Sequence, residues 1–121
     1  MDDFHAVDGE LWVEEIPVAR IAAAVGTPVY VYSKQRIEEN IGRLKRAFLA
    51  HYENFKLYYA VKANNNLSVL RTIFDAGVGA DCSCLEEIEL AQLAGARVSD
   101  ILYSGVYNSN RELQHALKKG Y

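Results

Sequence analysis

The sequence is poor in cysteine. Its 121 residues include two, Cys82 and Cys84. One intervening residue is too short a span for an ordinary disulfide or a zinc knuckle. No other Cys/His group has the spacing to complete a metal site, so neither a disulfide framework nor a metal centre is expected. The apolar flanks make the pair two reduced thiols beside a buried strand. A basic run is also lacking: the net charge is −3 and the pI near 5.6. The densest basic stretch, Arg43-Leu44-Lys45-Arg46, falls in a helical pattern and suits a solvated face, so nucleic acid is not an expected partner. No window approaches the length of a membrane span. The stretch Met1-Asp2-Asp3-Phe4-His5 is acidic and has no apolar core of the signal-peptide kind. The expected address is cytoplasmic, with no membrane partner, and the sequon Asn66-Leu67-Ser68 has no meaning there. Solenoid repeats and low-complexity tracts are absent as well.

What remains is a chain that is 50% hydrophobic and 24% charged, sufficient for a compact globular domain. Its punctuation predicts alternating strands and helices. Phe4 to Val13 is expected as one irregular strand. Pro17 opens a helix to Val25, stopped by Gly26-Thr27-Pro28, and Val29-Tyr30-Val31-Tyr32 has the composition of a strand. Ser33 is placed to cap a helix whose stripe is Ile37, Ile41, Leu44 and Phe48, ending near His51. Phe55 to Val61 is a nearly unbroken apolar run, as in a strand buried on both faces. Leu67, Leu70, Ile73 and Phe74 mark a helix closed by Gly77. A strand follows over Gly79–Cys82, then a helix closed by Gly95. A third buried strand is expected over Ile101–Ser104, and a last helix capped by Asn110 and closed by Gly120. From residue 55 the order is β-α-β-α-β-α, which implies right-handed crossovers and a parallel sheet.

In such a sheet the chemistry gathers at the C-terminal ends of the strands. Three polar segments fall there: Lys62 to Asn66, Asp81 to Cys84, and Ser104 to Asn108. Lys62 ends an apolar strand. A lysine so placed is expected to be partly desolvated, which makes its amine a better nucleophile toward an aldehyde; alternatively it snorkels to water. Asp81 is suited to hold a nearby ammonium or iminium charge, or to cap the helix after it together with Ser83. Glu86 and Glu87 sit in the first turn of that helix, where its dipole alone favours them. His5, His51 and His115 lie away from the strand ends and are assigned no chemistry. Tyr107 is the tyrosine beside the expected active face.

The segment Tyr59-Ala60-Val61-Lys62-Ala63-Asn64, continued by Asn65-Asn66-Leu67-Ser68-Val69-Leu70, resembles the pyridoxal-lysine segment of the alanine racemase/ornithine decarboxylase fold group. Within it the chain is most similar to diaminopimelate decarboxylases. Gly79-Ala80-Asp81, Glu87 six residues on, Tyr103-Ser104-Gly105 and the upstream Thr27-Pro28-Val29-Tyr30-Val31-Tyr32 also fit, in order, over nearly the whole chain. The lysine segment is specific; the others are weak alone but correctly spaced. The resemblance implies an α/β fold, the first part of a (β/α)8 TIM-type barrel that binds pyridoxal 5'-phosphate, with N-terminal strands belonging to a β domain and a homodimeric assembly. It implies a division into an N-terminal segment, residues 1–32 (β-domain strand, helix and connecting strand), and a partial barrel, residues 33–121. Lys62 would hold the cofactor as a Schiff base, Asp81 would lie near that linkage, and Glu87 would support the site. The implied substrate is a small amino acid, meso-diaminopimelate, whose decarboxylation gives L-lysine. Relatives acting on ornithine, arginine or carboxynorspermidine, and a non-catalytic pyridoxal-binding or regulatory homologue, are the alternatives. Cys84 departs from the pattern, which usually has serine there; cysteine is the poorer hydrogen-bonding partner.

A whole barrel of this type takes about 250 residues. The family's glycine-rich phosphate site, the acid paired with the pyridine nitrogen and the substrate residues from the partner subunit lie beyond position 121. The chain is therefore expected to be a fragment with a raw sheet edge, inactive alone and prone to dimerise, swap elements or aggregate.

Overall fold

A computed structural model describes residues 3–121; Met1 and Asp2 of the acidic N-terminal stretch lie outside the described residues. The chain divides into two compact units, Met1–Asn40 and Ile41–Tyr121.

The first unit begins as a hairpin rather than one irregular strand. β1 (Phe4–Val7) pairs antiparallel with β2 (Glu10–Val13), with Val7 opposite Glu10. The two loop residues, Asp8 and Gly9, have φ of 51° and 84°, the left-handed pair that a tight hairpin turn requires and that Asp-Gly supplies readily. β2 pairs in turn with β3 (Ile16–Pro17). Glu14, in the turn between them, has φ 52°, and its side chain is tied down: Oε1 accepts from Ser33 Oγ and from the Gln35 backbone N–H, each at 2.8 Å. These bonds, the backbone one first, hold the Glu14 carboxyl below its usual range. Pro17 precedes α1 (Val18–Val25), where its fixed φ suits a helix entry.

Val29–Tyr32 is not a strand. Among the described residues no ladder pairs with it, and Tyr30 is 89% exposed. β-branched and aromatic residues favour a strand only where an edge receives them. The connecting strand expected at the end of residues 1–32 is thus replaced by unpaired chain. Ser33 does cap α2 (Lys34–Leu49), its Oγ accepting from Arg36 N–H at 2.9 Å.

The second unit is built on a parallel sheet in the order β4 (Tyr58–Ala60), β5 (Gly79–Cys82), β6 (Ile101–Tyr103). α3 (Leu67–Asp75) and α4 (Leu85–Leu93) make the crossovers, and α5 (Asn110–Lys119) follows β6. The core lies on one face of the sheet, where Val61, Leu70, Ala80, Cys82, Ile88, Ala91 and Ala94 are buried together. Ala80, Ala91 and Ala94 are small, which lets α4 approach β5 closely. β4 is shorter than the apolar run 55–61, and its residues are only half-buried. β6 is likewise not a buried strand: Leu102 is 48% exposed. Each has one sheet neighbour and so an unpaired edge, and the exposure of Leu102 leaves the face opposite the helices partly open.

The N-terminal end of this sheet is locked by charge and by glycine. Lys56 Nζ pairs with Asp100 Oδ1 at 2.8 Å and lies 5.2 Å from the centre of the Tyr58 ring. Arg97 also reaches Asp100. A Cβ on Gly79 would stand 2.6 Å from the Asp100 carbonyl oxygen and 2.7 Å from the Tyr58 ring, so only glycine lets β5 pass there. Behind α3, Lys45 Nζ donates to the Ala76 and Gly77 carbonyls at 2.6 and 3.1 Å, satisfying acceptors at the helix end. Among the described residues no helix is long and apolar enough to cross a membrane.

Candidate functional site

Side chains alternate along a strand, so residues in register share a face. Ala60, Asp81 and Leu102 are in register across β4, β5 and β6. Ala80 and Cys82, their neighbours on β5, are buried in the core. Asp81 therefore faces away from the helices, on the open side of the sheet. Ser104 lies two residues past Leu102, where β6 ends, and Lys62 two residues past Ala60, in the 3-10 turn Val61–Ala63 that ends β4. The sheet thus brings the three sequence-derived segments to one rim.

Lys62 is exposed. That exposure fits the second of the two placements expected for it, an amine that snorkels to water. Its backbone is well fixed all the same. Val61 beside it is fully buried, and the next segment is folded tightly: Asn66 N–H donates to Asn64 Oδ1 at 3.0 Å, and Asn66 Oδ1 accepts from Ser68 N–H at 2.9 Å as the cap of α3. The polar patch Asn64-Asn65-Asn66 is accordingly a capping turn.

Asp81 does not cap a helix. Its Oδ1 accepts the hydroxyl hydrogen of Ser104. The cap position of α4 belongs to Cys84, whose backbone is extended as a cap requires but whose side chain makes no cap hydrogen bond of good geometry. Glu87 takes over part of that work: its Oε2 accepts from the Ser83 backbone N–H at 2.7 Å and from Ser83 Oγ at 2.9 Å. Glu87 therefore fixes the turn that follows Asp81, and Glu86 beside it is exposed.

The loop after β6 is clipped to the same turn. Ser104 N–H donates to the Cys82 carbonyl at 2.9 Å. Asn108 accepts from Tyr103 Oη at 2.7 Å and donates to the Gly105 carbonyl at 2.7 Å. A Cβ on Gly105 would meet the Ser83 carbonyl oxygen at 2.6 Å and press on the Asn108 amide. The sequence placed Ser83 before α4 and Ser104 to Asn108 at a strand end, but it assigned no role to Ser104, Tyr103 or Asn108. The available signal for Ser104 was its parity with Leu102 on the strand. Tyr107 is 98% exposed. Cys82 and Cys84 are both free thiols; burial, aided by Glu87 and Asp81, pushes Cys82 up to about 12.

An exposed primary amine and, one strand over, a carboxylate on the open face of a parallel α/β sheet suit the capture of an aldehyde: the amine condenses with the carbonyl and the carboxylate offsets the positive charge that results. The residue in register with Asp81 on β4 is the small Ala60. These residues fit pyridoxal 5'-phosphate.

A family model, that of the pyridoxal binding domain of pyridoxal-dependent decarboxylases, matches residues 34–121, and the chain belongs to that family. The diaminopimelate decarboxylase of Archaeoglobus fulgidus is 42% identical over 117 residues, 97% of this chain and 27% of the relative. That of Vibrio cholerae is 38% identical over 98% of this chain and 28% of the relative. The crystal structure of the diaminopimelate decarboxylase of M. jannaschii in complex with L-lysine is 27% identical, with a TM-score of 0.87 over 97% of this chain and 28% of that one. The chain thus spans somewhat over a quarter of the length of these relatives. Its α/β architecture corresponds to the first part of their cofactor-binding barrel, preceded by antiparallel N-terminal strands.

Proposed function

We propose that Lys62 holds pyridoxal 5'-phosphate through its ε-amine, and that the protein containing this chain decarboxylates meso-diaminopimelate to L-lysine. The observation that carries this is the position of Lys62, exposed at the C-terminal end of β4 and two residues past the partner of Asp81. The relatives that are 36–42% identical are named diaminopimelate decarboxylases, and three of the similar structures hold L-lysine, which supports this substrate over ornithine or arginine. The start of the family match at residue 34 supports a cofactor-binding domain that begins near residue 33, after an N-terminal segment of residues 1–32. A cytoplasmic homodimer acting on a small amino acid completes the proposal.

The bound cofactor would supply the electron sink for the pair left by loss of the α-carboxylate. The chain's own residues do simpler things. Lys62 offers an amine that water can reach and that an incoming substrate amine can displace. Asp81, with Oδ1 engaged by Ser104, turns its negative charge to the open face, where it stabilises a cation. Glu87 holds Ser83 and so keeps the turn after β5 from moving.

The test is carbon dioxide release from meso-diaminopimelate by the protein containing this chain, with and without Lys62→Ala. Turnover that vanishes in the variant is expected. Turnover with ornithine or arginine and none with diaminopimelate would overturn the substrate. Cofactor binding with no turnover at all would make the protein a carrier.

A further inference from the structure

Ser104 is the residue of the rim that the proposed chemistry does not require, yet it is the one that touches Asp81. We propose that Ser104 is a positioning residue: its hydroxyl orients the Asp81 carboxylate toward the Lys62-bound cofactor. This rests on Lys62 as the anchor.

Three observations place Ser104 for that task. Its backbone is fixed, because its N–H continues the β5–β6 ladder to the Cys82 carbonyl at 2.9 Å. The loop beyond it is held by Asn108, which bonds both Tyr103 Oη and the Gly105 carbonyl at 2.7 Å. Gly105 lies so close to Ser83 that a Cβ would stand 2.6 Å from its carbonyl oxygen, and Ser83 is in turn held by Glu87. Ser104 Oγ is thus presented to β5 from a braced loop. Its bond is made to Oδ1 of Asp81, while Oδ2 accepts none among the described residues. A carboxylate on a strand otherwise turns about two side-chain bonds. A hydroxyl pinning one oxygen restricts that freedom and leaves the other oxygen available to a cation. A charged group acts on a neighbouring cation in proportion to how closely it is held, so losing the pin weakens the effect without removing the charge.

The readout is the pH midpoint of the visible absorbance of the Lys62-bound cofactor, measured in the protein containing this chain. A carboxylate held nearby favours the protonated linkage and raises the midpoint. Ser104→Ala is expected to lower it by about 0.5–1 pH unit, the worth of one hydrogen bond, and Ser104→Thr, which keeps the hydroxyl, to restore it. In an Asp81→Asn background the Ser104→Ala change is expected to shift nothing further, which a merely structural role would not predict. An unchanged midpoint in Ser104→Ala overturns the proposal. So does a rise, because the hydroxyl would then disperse the carboxylate charge rather than aim it. If the unaltered protein binds no cofactor on Lys62, the anchor itself fails, a separate outcome visible before any Ser104 variant is made.

Discussion

Cys84 stands at the cap of α4 with the backbone of a good cap and the side chain of a poor one. A serine oxygen there would be a stronger acceptor than the thiol for the N–H groups of the first turn, so Cys84→Ser is expected to raise stability by about 0.5–1 kcal/mol, read as a higher urea midpoint. No change would mean that Glu87, bonded to Ser83, already satisfies the turn. Gly79 gives the opposite sign. Alanine would drive Cβ into the Asp100 carbonyl and the Tyr58 ring, at a cost of about 1–3 kcal/mol by overpacking. Cys82, fully buried and with its thiol pushed up to about 12, is expected to resist alkylation at mildly alkaline pH until the chain unfolds; rapid labelling of the folded protein would contradict its burial. At this scale the sequence was informative where chemistry follows from identity, as at Lys62 and Asp81. It put Ser104 at the same rim but did not show its bond to Asp81, because a hydrogen bond between residues 23 positions apart leaves no local mark. It left two placements open for Lys62, desolvated or snorkelling to water, because the choice depends on what packs above the strand end.

The elements followed their periodic signals where a partner surface was present. The stripe Leu67, Leu70, Ile73 and Phe74 became α3, with Leu70 and Ile73 buried. Val29–Tyr32, equally strand-like in composition, found no edge. The hairpin at Asp8-Gly9 carries a local signal, since Asp-Gly supplies the left-handed pair a two-residue turn needs. The cap of α5 shifted by one residue from Asn110 to Ser109, since both residue types cap well and only Glu112, at the third helical position after Ser109, completes a capping box. Ser109→Ala is therefore expected to cost about 1 kcal/mol and Asn110→Ala almost nothing, as measured by the denaturant midpoint. Glu112 and Asp100 add an acid dependence. The first is held below the usual carboxylate range by the Ser109 side chain and backbone, the second by Lys56 and then Arg97. Both carboxylates have folded pKa values lower than unfolded ones. Their contribution is complete above the ordinary carboxylate range and is lost as pH falls through the depressed values. Ser109→Ala is expected to flatten that acid-side loss.

For the molecule as a whole, the parallel β-α order from residue 55 was the firmest inference, since short connections and alternating apolar runs leave few topologies. What it produces is a sheet of three strands whose outer two have one neighbour each. The 121 residues expressed alone are accordingly expected to self-associate and to release no carbon dioxide from diaminopimelate; a monomer by sedimentation with full turnover would contradict this. The central claim is that Lys62 is the anchor, and borohydride reduction tests it most directly. The protein containing this chain, loaded with pyridoxal 5'-phosphate, reduced and digested, is predicted to carry the cofactor on the peptide that contains Lys62. Cofactor found on another lysine, or on none in a folded protein, would contradict the account.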